Sequence, residues 1–87
     1  MELSAELSLY PLTGDVDTSV LAFIEDLHES GEISVVSNTM STQISGDCDA
    51  VMSAVNIALK RSSQRIDRQV LVVKYLPRHR IEIGAEG

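Results

Sequence analysis

A chain of 87 residues has room for one domain, and folding buries about 60–65% of the surface the unfolded chain exposes. Thirteen acidic residues against seven basic ones give a net charge of −6, which argues against nucleic acid, whose phosphates need Lys and Arg to neutralise them. The lone Cys48 excludes an internal disulfide, and no apolar run approaches the length of a membrane span.

The first residues carry Glu2 and Glu6 where a secretory leader would be basic and then apolar. A cytoplasmic protein with no membrane partner is therefore expected. The only basic cluster, Arg78-His79-Arg80, is too short to make nucleic acid a partner.

Residues 2–10 alternate, with Leu3, Ala5, Leu7 and Leu9 on one face and Glu2, Ser4, Glu6, Ser8 and Tyr10 on the other. A period of two predicts a strand with one face on a core, ended by Pro11, which cannot donate to a ladder. Thr13-Gly14-Asp15 is a turn, and Asp15 or Asp17 caps a helix whose stripe is Val16, Val20, Ile24 and Leu27, with Phe23 beside it. Gly31 stops that helix.

Ile33 to Asn38 and Thr39 to Ser45 read as two short strands joined by a tight turn without an Asn-Gly or Asp-Gly signal. Gly46-Asp47 then leads to a second helix, capped by Asp47 or Asp49, with Val51, Val55, Ala58 and Leu59 as its buried stripe and Lys60-Arg61 near its end. After a polar stretch from Ser62 to Arg68, Gln69 to Leu76 is a β-branched strand ended by Pro77, which Ile81 and Ile83 can extend.

The order strand, helix, strand, strand, helix, strand folds as two split βαβ units. The fold class is α+β, a single ferredoxin-like βαββαβ domain over 1–87 with a four-stranded antiparallel sheet and both helices on one face. The last strand is apolar on both sides, with Val70, Val72 and Leu76 alternating with Leu71, Val73 and Tyr75. A strand apolar on both faces is usually covered on both, so a homodimer or homotetramer is expected.

Two segments, Ser-Leu-Tyr-Pro-Leu-Thr from Ser8 to Thr13 and Ser-Thr-Gln-Ile-Ser-Gly-Asp-Cys-Asp-Ala-Val-Met-Ser-Ala from Ser41 to Ala54, resemble the YkoF-type family of thiamine- and hydroxymethylpyrimidine-binding proteins. The resemblance implies the same βαββαβ unit and a small-molecule ligand. Members carry two units in one chain or associate single units, and a single-unit chain such as this one implies a homo-oligomer.

A thiamine-like ligand offers a flat aminopyrimidine, a cationic thiazolium and a hydroxyethyl arm, and a pocket for it needs an apolar wall and a few hydrogen-bonding groups. Tyr10 supplies a wall, or else packs at a subunit contact. Ser41 and Thr42 are adjacent in a strand, so only one faces a given pocket, and Thr42 also suits the core. Asn38 matches an aminopyrimidine edge or serves the turn, and Ser8 shares the face of Tyr10. Glu6, on the same face, can meet a cation or a neighbouring subunit.

His28 and His79 are isolated, and neither Asp15/Asp17 nor Asp47/Asp49 continues into a calcium loop, so no metal and no cofactor is expected. Cys48 has no basic neighbour to activate it, and no cluster marks a reactive centre. The sequence thus leads to a non-enzymatic protein that binds thiamine or its hydroxymethylpyrimidine precursor, for sequestration or delivery. The alternatives are an oligomeric regulatory or assembly domain with a different small ligand, and a small cofactor-free monooxygenase-like enzyme of the same topology.

Overall fold

A computed structural model describes residues 1–81 of the chain. Six elements follow one another: β1 (Glu2–Pro11), α1 (Val16–His28), β2 (Ile33–Ser37), β3 (Thr42–Asp47), α2 (Cys48–Arg65) and β4 (Gln69–Pro77). The strands lie in the order β2-β3-β1-β4, and every neighbouring pair is antiparallel. This is the ferredoxin-like α+β arrangement that the order of elements predicts.

The alternation along β1 decides where the core sits. Leu3, Ala5 and Leu7 join Ile44 of β3, Phe23 and Leu27 of α1, and Val51, Ala54, Val55 and Ala58 of α2 in one buried cluster. Both helices therefore cover the same face of the sheet. Register across β1 and β4 sets Leu9 opposite Leu71, Leu7 opposite Val73 and Ala5 opposite Tyr75. Val70, Val72, Lys74 and Leu76 consequently stand on the open face with Ser4, Glu6, Ser8 and Tyr10. Lys74 interrupts that apolar row and lies 3.7 Å from Glu6.

Each helix departs from its expected stripe. In α1 the buried positions are Ser19, Phe23 and Leu27, whereas Val16 is 53% exposed. Val16 is the first helical residue, one position past the Asp15 cap. In α2 the stripe is Val51, Ala54, Val55, Ala58 and Ser62, with Leu59 turned outward. That helix runs on past Lys60 to Arg65, so Ser62 to Arg65 is its last turn and not a loop. Ser62 is buried because its hydroxyl donates to the Gln69 side chain at 2.6 Å. Arg61 and Arg65 reach Asp26 at 3.3 and 2.8 Å, and Arg61 also meets Glu29 at 2.9 Å, tying the outer surfaces of the two helices together.

The β2–β3 connection is longer than expected, and β3 starts at Thr42 instead of Thr39. Asn38 is the reason. Its Oδ1 accepts from the backbone N–H groups of Met40 and Ser41 at 2.8 and 3.1 Å, and its own N–H donates to the Ser41 carbonyl at 3.0 Å. The amide of Asn38 thus builds a closed loop over 38–41. At the other end β3 continues through Gly46 and Asp47, and α2 follows without a linker. A Cβ on Gly46 would stand 3.2 Å from both the Glu32 carbonyl oxygen and Ile33 Cγ2, so a larger residue there would press on the start of β2.

Residues 78–81 do not extend β4. Arg78 adopts φ +60°, and the segment turns back over the open face. Ser4 Oγ donates to the His79 carbonyl and the Ile81 N–H donates to Ser45 Oγ, both at 2.7 Å, while the two serine hydroxyls bond each other. Each hydroxyl has one proton, so the relay runs Ile81 N–H to Ser45, Ser45 to Ser4, and Ser4 to His79 carbonyl. This clasp buries Ser4 and Ser45 on what is otherwise the uncovered side. Ile83, the other residue expected to extend the strand, lies outside the described residues.

A candidate ligand cleft at the end of the central strand

The cleft exists because two neighbouring strands differ in length. β1 pairs with β4 from Leu3 through Pro11, but with β3 only as far as Leu7, opposite Thr42. Residues 8–11 of β1 are therefore unladdered on the β3 side. The Asn38 loop and the first turns of α1 flank this gap and leave a cleft of about 670 Å³.

All five residues expected at the site from sequence line this cleft: Ser8, Tyr10, Asn38, Ser41 and Thr42. Their offers differ. Tyr10 is 53% exposed and presents its ring at the mouth. Ser41 is half-buried and donates to Glu6 Oε2 at 3.0 Å. Thr42 is only 5% exposed, and its hydroxyl already bonds Ser37 Oγ at 2.9 Å. Asn38 commits its carbonyl oxygen to the loop, which leaves its NH₂ as the group it can present to a ligand. Glu6 receives Ser41 and neighbours Lys74, so it stands behind the cleft and not in its lining.

Sequence reasoning missed the apolar wall and one charge. Leu7 and Leu9 of β1 with Val20, Phe23 and Ile24 of α1 form the wall, and Met40, 84% exposed, overhangs it from the loop. Asp17 is the charge. Asp15 is the helix cap, since its Oδ1 accepts the Thr18 N–H at 2.9 Å. The Thr18 N–H and hydroxyl hold the Asp15 carboxyl below the ordinary aspartate range. Asp17 is free of that duty and contributes to the cleft. Helical side chains lean toward the N-terminus of their helix, and that lean was the available clue.

A second, smaller recess of about 250 Å³ lies on the open face between Glu6, Gln43, Lys74 and His79. Among the described residues no group of three or more His, Cys, Asp or Glu is arranged to hold a metal ion. No helix of the described residues is long and apolar enough to cross a membrane. Cys48 is half-buried at the start of α2.

The fold and cleft define a class: a ferredoxin-like unit with a ligand-sized cleft at one end of its central strand. Similar solved structures exist. A hypothetical protein of Methanocaldococcus jannascii aligns with TM-score 0.79 and 29% identity over 98% of this chain and 89% of its own. A domain of unknown function, DUF77, from Bacillus cereus aligns with TM-score 0.78 and 22% identity over 95% of this chain and 84% of that one. A Thermotoga maritima protein provisionally assigned to thiamine biosynthesis or salvage aligns with TM-score 0.81 and 17% identity, covering 95% of this chain and 91% of its own. At such identities the last two show a shared fold. No family model matches the chain, and no curated protein matches it significantly.

Proposed function

We propose that this protein is a non-enzymatic binding protein for thiamine or its hydroxymethylpyrimidine precursor, acting in the cytoplasm in sequestration or delivery. The observation that carries the reading is the convergence of Ser8, Tyr10, Asn38, Ser41 and Thr42 on one apolar-walled cleft. An aromatic ring enters against Leu9, Phe23 and Ile24, Tyr10 covers it from outside, and Ser41 and the Asn38 NH₂ pair its polar edge. The segments that resemble YkoF-type proteins supply the end of β1 and the Ser41–Thr42 start of β3 in this same cleft. The structural likeness to the Thermotoga protein agrees with a thiamine-related role.

The unit acts as a homodimer or homotetramer. Val70, Val72 and Leu76 are 47%, 42% and 55% exposed on the face away from the helices, and a second copy is their natural cover. The clasped segment 78–81 already occupies the Ser4–Ser45 corner, so the contact uses the half around Tyr10, Val70 and Val72.

Calorimetric titration with thiamine and with hydroxymethylpyrimidine tests the reading. Micromolar affinity, roughly −8 kcal/mol, is expected for at least one of them. No heat with either at millimolar concentration would sink it in favour of an assembly domain with a different ligand.

A further inference from the structure

The charges around the cleft restrict its occupant more narrowly than its shape does. None of the described residues that line it is Lys, Arg or His, and its one ionisable carboxylate is Asp17. The positive end of α1 is the feature of the neighbourhood that would favour an anion. It is already answered twice, by the Asp15 cap and by Asp17 in the first turn. Lys74 is tied to the site through Glu6, but its ammonium, 3.7 Å from that carboxylate, stands on the open face and lines the recess there, not the cleft. The chain as a whole carries −6, so the long-range field has the same sign.

From this we infer that the cleft selects a flat aromatic cation bearing no phosphate, with Asp17 as its counter-charge. The inference rests on the proposed binding function and deepens it. A phosphate ester brings about two negative charges into a cleft whose lining has no cationic side chain to neutralise them, beside a carboxylate that repels them. A ring cation gains from the same carboxylate. Asp17 is exposed, so its attraction is that of a surface pair, and added salt weakens it. A neutral pyrimidine is held by the apolar wall and the hydroxyls alone and is indifferent to Asp17.

The test compares thiamine, thiamine monophosphate and neutral hydroxymethylpyrimidine on the wild-type protein and on Asp17→Asn, by calorimetry at low and at moderate salt. Thiamine should bind at least tenfold more tightly than its monophosphate. Asp17→Asn should weaken thiamine about threefold to fivefold at low salt, leave hydroxymethylpyrimidine unchanged, and narrow the gap to the monophosphate. The thermal melt of the variant checks that α1 is intact. Equal binding of thiamine and its monophosphate, or loss of thiamine and hydroxymethylpyrimidine in parallel on Asp17→Asn, overturns the inference and leaves the binding function standing. Should none of the three compounds bind the wild-type protein, the binding function and the inference fall together.

Discussion

Ser41 and Thr42 are adjacent, carry the same functional group and differ in fate. Thr42 turns toward the helices and bonds Ser37, whereas Ser41 turns toward Glu6 and the cleft. Ser41→Ala should therefore weaken ligand binding about tenfold, the cost of leaving one polar edge of the ligand unpaired. Thr42→Val should instead cost about 1 kcal/mol of stability by removing a hydrogen bond, with little change in affinity. Calorimetry and denaturant melts on the two variants separate these effects. The exposed cap Asp15 gives a pH signature. Its pKa is depressed in the folded protein, so the stability it adds is complete above the ordinary aspartate value of about 4 and is lost as the pH falls through the folded value. Asp15→Asn keeps a capping oxygen without the charge, and its melting temperature should fall less on acidification than that of the wild type. The sequence pointed to Ser8, Tyr10, Asn38, Ser41 and Thr42, because hydroxyls and an amide at strand ends are visible in one dimension. It did not reveal Asp17, since a pair of aspartates two apart reads as a cap until the fold shows which one caps.

The elements were legible in order and type, and their ends were not. Alternation in β1 and β4 and helical spacing in α1 and α2 survive because each buries one face against the same core. Boundaries moved where a side chain bonded the backbone or a neighbouring strand. Asn38 turned four expected strand residues, itself included, into a loop, and Ser62, bonded to Gln69, lies in the last turn that carries α2 on to Arg65. Segment 78–81 departed furthest, because nothing around Ile81 announces that two serines on another part of the sheet will hold the backbone there. Phe23 sits at the centre of α1's contact with the sheet, 2% exposed. Phe23→Ala should cost about 3–5 kcal/mol and unfold so small a domain at moderate temperature. Because Phe23 also forms the cleft wall, Phe23→Leu is the variant in which to read ligand binding. On β4 the open-face residue is Val72, not Val73. Val72→Lys should dissociate the proposed assembly without unfolding the unit, whereas Val73→Lys should destabilise the fold itself, a contrast that sedimentation and circular dichroism resolve.

At the scale of the molecule, the sheet has one face covered by helices and a second face covered at one corner by its own tail. The cleft opens at the opposite end, where β1 outruns β3. The proposed ligand site and the proposed self-association surface thus have Tyr10 in common, since it lines the cleft and stands on the open face. Sedimentation should show a dimer or larger at micromolar concentration, and a stable monomer there would contradict the proposed assembly. The site itself is tested most directly by following backbone amide resonances while thiamine is added. Shifts confined to residues 8–10, 16–24 and 38–42 are expected, with Ser4, Ser45 and Ile81 unmoved. Shifts concentrated at Glu6, Gln43, Lys74 and His79 would place the ligand in the open-face recess and contradict the proposed site, as would a spectrum that does not change.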